Sequence, residues 1–150
     1  MSVAALLCAG CAGVGYEPEP VRHAVPLLAA RGGGSVISTA STAALRPRPG
    51  LTWYNASKGA VVTATKSLAG ELAPQNIRVN ALCPVLGDTP LAGTFMGGDT
   101  PEKRAQFVAT IPLGRMSTPA DVAGAAVYLA SDEAAFITGT ALEIDGGRCA

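Results

Sequence analysis

Gly34-Ser35-Val36-Ile37-Ser38-Thr39-Ala40-Ser41 is a short, partly β-branched run that follows Arg31-Gly32-Gly33 and ends in a serine. It reads as a buried strand. Pro47 and Pro49 keep the next segment out of helix, and a helix is predicted from Trp53 to Ala73, stopped by Pro74. Ile77 to Leu82 then reads as a second buried strand. Strand, helix and strand in this order predict parallel pairing through right-handed crossovers, and so an α/β sheet.

Working outward, Val3–Cys8 reads as a strand and Val21–Ala30 as a helix with a glycine stop signal behind it. On the other side come a loop from Cys83 to Pro90 and short helices between Leu91 and Val108. A helix from Pro119 to Ala130 has Thr118 at its N-cap and Pro119 at its first position. A last strand is predicted at Ala141–Ile144. The result is about four parallel strands in one domain, 1–150, one domain's worth of chain.

Tyr54 and Lys58 are four residues apart, so one helix face carries both. A phenol beside an ammonium is a tunable acid, because the positive charge favours the phenolate. Ser41, thirteen residues before Tyr54, offers a hydroxyl that could hold a carbonyl or alcohol oxygen at the same point. Further along the helix, Val61, Ala64, Leu68 and Leu72 form an apolar stripe expected to face the sheet. Ala56, Ala60, Thr63, Ser67 and Gly70 form a second stripe of small residues. It would suit either close packing against another subunit or a crowded interior.

The formal net charge is zero, and only 15% of residues are charged. A neutral chain offers no electrostatic footprint for nucleic acid or an anionic membrane. The apolar run from Val3 to Val14 lacks a preceding Lys or Arg and is too short to span a bilayer, so a buried strand is expected rather than an export signal. The four cysteines, Cys8, Cys11, Cys83 and Cys149, form no disulfide framework and no zinc set; structural thiols in the cytoplasm are expected. No metal site is read.

Ser41, the Tyr54/Lys58 pair, Asn76-Ile77-Arg78-Val79-Asn80-Ala81-Leu82-Cys83-Pro84, Ile137-Thr138-Gly139 and Glu143-Ile144-Asp145-Gly146-Gly147 occur in order. From about Val21 to Arg148 the chain resembles the C-terminal half of the short-chain dehydrogenase/reductase family. The resemblance implies a partial, truncated Rossmann-like, doubly wound parallel sheet. It implies an NAD- or NADP-dependent oxidoreductase that moves a hydride between nicotinamide and a small-molecule carbonyl or secondary alcohol. Tyr54 resembles the acid/base, Ser41 the ligand of the substrate oxygen, and Lys58 the residue that holds the nicotinamide ribose and tunes the tyrosine. Tyr54, Lys58, Pro84, Val85 and Thr89 are the cofactor-binding candidates; Val85 stands where the family usually has glycine. Leu91–Val108 resembles the substrate lid, with Phe95 and Met96 read as packing residues in preference to site lining. A homo-oligomer, or association with a full-length relative, is implied as well.

Members of this type open with a Gly-rich phosphate loop. The candidate here is Cys8-Ala9-Gly10-Cys11-Ala12-Gly13-Val14-Gly15. It reads either as a damaged phosphate loop or as a relic of the motif after the family's fourth strand. Pro18 and Pro20 oppose a helix start running through them and favour the relic. No asparagine precedes Asn55, so the family's proton-relay asparagine is missing. The expectation is weak cofactor binding by this chain alone. The competing reading is a non-catalytic remnant that acts by docking on a relative.

Overall fold

The computed structural model describes residues 4–7 and 19–150. The Gly-rich segment, Cys8, Cys11 and the missing relay position lie outside the described residues. Four strands, β1 (Ala4–Leu7), β2 (Gly34–Thr39), β3 (Ile77–Pro84) and β4 (Ala141–Ile144), form one parallel sheet in the order β1-β2-β3-β4. β1 lies beside β2, its successor in the chain, as the fourth-strand reading requires. The helices are α1 (Glu19–Ala30), α2 (Thr52–Leu72), α3 (Ala92–Met96), α4 (Pro101–Val108) and α5 (Pro119–Ala130). None of the described helices is long and apolar enough to cross a membrane.

Alternation along the central strands sorts the layers. Val36 pairs with Val79 and Ile37 with Asn80. Val36, Ile77 and Val79 pack against Leu28 of α1 and Ala69 and Leu72 of α2. Ile37 and Leu82 face the other way, against Leu129 of α5. Helices therefore cover both faces, and β2 and β3 are buried on both sides, which suits their continuous apolar runs. All three connections step the same way across the sheet, yet α1 and α2 lie on one face and α5 on the other. The third connection thus has the opposite hand to the first two, against the expectation of uniformly right-handed crossovers.

Buried polar groups on the α5 face are all tied. Asn80, wholly buried, donates to the Ile137 carbonyl at 3.0 Å and accepts from the Thr140 amide at 3.1 Å. Arg78 donates to the carbonyls of Leu129 and Ser131. The Thr138 hydroxyl accepts from the Val79 amide at 3.0 Å. The Ile137-Thr138-Gly139 motif is thus a structural clamp between β3 and β4.

Two local expectations shift. α1 begins at Glu19, two residues before the expected Val21, and takes Pro20 into its first turn, where a missing N–H costs nothing. In α2 the residues turned fully to the sheet are Val62, Thr65, Ala69 and Leu72. The expected stripe of Val61, Ala64 and Leu68 is half-buried at their margin.

Candidate functional site

β2 ends at Thr39, and Ser41 follows in extended backbone with φ −170° and ψ 155°. Its buried hydroxyl oxygen accepts the Ala43 amide at 3.1 Å, capping a short turn. One lone pair is used, and the hydroxyl proton remains able to donate. α2 opens at Thr52, and its first two turns bring Tyr54 and Lys58 to the same end of the sheet. Lys58 Nζ donates to the Thr39 carbonyl at 3.0 Å and lies 5.9 Å from the centre of the Tyr54 ring. This backbone tether holds the ammonium beside the phenol.

A cavity of about 210 Å³ opens where these groups meet, beyond the C-terminal ends of β2 and β3. Open α/β sheets bind ligands at this end. Ser41, Tyr54, Lys58, Pro84, Val85 and Thr89 all line it, so the structure brings every expected site residue together. Cys83 sits beneath, fully buried, and burial pushes its thiol up to about 11 despite the opposing pull of the Ser41 backbone and Lys58. It is a packed, neutral group rather than a nucleophile.

Val85 needs no glycine. It is buried, and Asn76 is the one non-glycine residue with positive φ among those described. The close approach falls on Gly87, where a Cβ would stand 3.1 Å from Ser117 Oγ and 3.2 Å from its carbonyl oxygen. Phe95 also departs from expectation. It lines the cavity and meets Tyr54 edge-on, with ring centres 5.3 Å apart. Met96 does pack, against a cluster of Val85, Ala92, Phe107, Ile111 and Met116. Asp145-Gly146-Gly147 is the expected structural turn: the Asp145 carboxylate accepts the amides of Gly147 and Cys149 at 2.9 Å and 2.6 Å.

Arg48, Leu51 and Arg148 line the cavity too, and sequence reasoning passed over them. Arg48 lies in a loop with no periodic signal, and Arg148 reaches the site only because the chain returns past β4.

The site fits one end of a dinucleotide. Tyr54, Lys58 and Thr89, which could hold a nicotinamide and its ribose, line one cavity. At about 210 Å³ it is below the roughly 300–1,000 Å³ of typical ligand pockets, and so too small for a whole dinucleotide.

The comparisons agree with this geometry. A family model described as enoyl-(acyl carrier protein) reductase matches residues 19–148. The 4-formylbenzenesulfonate dehydrogenase of Comamonas testosteroni is 50% identical over 126 residues, 83% of this chain and 50% of that protein. Human dehydrogenase/reductase SDR family member 4 is 43% identical over 82% of this chain and 44% of its own length. A crystal structure of 3-ketoacyl-(acyl-carrier-protein) reductase from Brucella melitensis, complexed with NADH, superposes with a TM-score of 0.80 at 47% identity. That match covers 87% of this chain and 52% of the other. The chain spans about half the length of the curated relatives it matches. With the sheet, the serine and the tyrosine–lysine helix in place, the chain belongs to the short-chain dehydrogenase/reductase family.

Proposed function

We propose that this chain carries the carbonyl-reducing part of an NAD(P)-dependent oxidoreductase site. The observation that carries the reading is the convergence of Ser41, Tyr54 and Lys58 on one cavity. Lys58, Tyr54, Pro84, Val85 and Thr89 would hold the nicotinamide and its ribose. Reduced nicotinamide held there would supply the hydride that the carbonyl carbon accepts. Ser41 donates a hydrogen bond to the carbonyl oxygen and orients it. Tyr54 gives its phenolic proton to that oxygen as the carbonyl becomes an alcohol, and takes it back in the reverse direction. Lys58, held by the Thr39 carbonyl, favours the phenolate that remains. Phe95 and Leu51 supply apolar wall beside these groups.

The relative from Comamonas testosteroni is named for an aromatic aldehyde, so an aromatic aldehyde is a reasonable first substrate class. The test is reduction of benzaldehyde derivatives by the purified chain with NADH or NADPH. Because the cavity takes only one end of the dinucleotide, slow turnover is expected at high cofactor concentration, and Tyr54→Phe should lower it by about 100-fold or more, the scale of a lost general acid. No turnover, or turnover that survives Tyr54→Phe, would sink the reading.

A second reading has its own observation. Ala56, Ala60, Thr63, Ser67 and Gly70 are all exposed on the outer face of α2, and Trp53 at its start is 85% exposed. That favours docking of this face on a second copy or a full-length relative over a crowded interior. Inactivity combined with co-elution with such a relative supports this alternative.

A further inference from the structure

We propose that the cavity selects carbonyl compounds or secondary alcohols carrying an anionic group, and that Arg48 and Arg148 are the residues that read it. The inference rests on the oxidoreductase reading and adds the substrate class. Among the described residues three cations, Arg48, Lys58 and Arg148, line the cavity, and no carboxylate does. Lys58 is already tied to the Thr39 carbonyl. The two arginines differ from Arg104 and Arg115, which pair with Asp88, Asp99 and Asp121. Among the described residues neither Arg48 nor Arg148 has a carboxylate partner.

Arg148 is nonetheless held in place. Arg148 stacks over the Phe107 ring at 4.9 Å, and its Nε donates to Thr110 Oγ1 at 2.8 Å. The plane of the guanidinium is fixed, while among the described residues Nη1 and Nη2 have no protein acceptor. Arg48 is anchored by its backbone, whose carbonyl accepts from Asn55 Nδ2 at 2.8 Å, tying the loop to the first turn of α2. An oriented guanidinium is suited to a planar or tetrahedral oxyanion, which it meets with two parallel hydrogen bonds. Leu51, Leu91 and Phe95 supply apolar wall between the cations. The ligand that matches is an apolar body with a reactive carbonyl and a carboxylate, sulfonate or phosphate.

Binding to the purified chain, followed by calorimetry without turnover, tests the proposal. The probes are 4-formylbenzoate, 4-formylbenzenesulfonate and the neutral methyl 4-formylbenzoate. Two charges at a half-exposed cavity wall predict about tenfold tighter binding of either anion than of the ester, shrinking as salt is raised. Arg48→Gln and Arg148→Gln should each remove most of that preference. Arg148→Lys, which keeps the charge, should retain part of it, separating lost charge from lost packing. Preference for one anion over the other identifies the group. Equal binding of ester and anions, no binding of any probe, or a preference untouched in both glutamine variants overturns the proposal. So does ADP binding that both variants abolish while the preference for the anions persists, which would assign the arginines to the dinucleotide phosphates. Loss of turnover with the preference intact would instead strike the oxidoreductase reading and leave the anion site standing.

Discussion

β2 and α2 give the cavity a wall held by backbone carbonyls and buried strands, whereas the wall from Thr89 to Phe107 is held by surface ion pairs and a small cluster. Ser41 is locked by the Ala43 amide and Lys58 by the Thr39 carbonyl. β2, which leads into both, is paired on each side. Opposite, α3 has five residues, no side-chain cap at its start, and Gly97 in left-handed conformation at its end. Arg104 ties this segment together by pairing with Asp88 and Asp99. The groups proposed for proton transfer sit on the fixed wall, Leu91 and Phe95 line the cavity from the adaptable one, and Arg48 and Arg148 reach it from the loop before α2 and the tail after β4. A region with few buried contacts opens at low free-energy cost, while a paired core strand opens only with the whole fold.

Deletions in the two walls should separate most clearly in stability. Leu82 is fully buried between the sheet and α5. Leu82→Ala should cost about 2–5 kcal/mol, transfer plus cavity. Met96, half-buried on the lid cluster, has less to lose, and Met96→Ala should cost about 1 kcal/mol. Urea denaturation of both variants gives the values directly. Equal costs would mean that the lid is as well packed as the sheet, and the contrast would fail.

Phe95 and Tyr54 are where the walls touch. Phe95→Ala removes an edge-on contact with Tyr54 worth roughly 0.5–1.5 kcal/mol, and urea denaturation should show a loss of stability of that size. Phe95 also lines the cavity, so the variant should bind 4-formylbenzoate more weakly. A large fall in melting temperature would place Phe95 in the structural core instead.

The same contrast explains how much could be read from the sequence. β2, β3, β4, α2 and α5 fall within about two residues of their expected bounds, because buried strands and proline-bounded helices carry their signals locally. The capping box of Thr118 and Asp121 marks the start of α5 where it was expected. The face that α5 covers was not legible, since nothing in its own residues says which side of the sheet it must take. Ser41, Tyr54 and Lys58 were legible because one strand end and one helix turn place them. Arg48, Phe95 and Arg148 were not, because loops and a returning tail bring them in and no spacing records that.

The smallest expected effect is a pH response confined to the adaptable wall. Arg104 donates to both Asp99 oxygens, and this pairing holds the Asp99 carboxyl below its ordinary value. A carboxyl with a depressed folded-state pKa adds stability above its unfolded pKa of about 4, and that contribution drains away as pH falls through the folded value. Acid should therefore loosen 91–108 before it loosens the sheet. Protection factors from hydrogen exchange, which correct for the intrinsic pH dependence of the reaction, can compare 92–108 with 62–72 between pH 6 and pH 3. The lid amides should lose protection first. Asp99→Asn, which cannot carry the charge, should show the weakened lid already at pH 6 and little further change. High salt should imitate acid in the parent chain, because an exposed pair is screened. If 62–72 lost protection in step with 92–108, the two walls would be one cooperative unit, and the division of labour between them would have no physical basis.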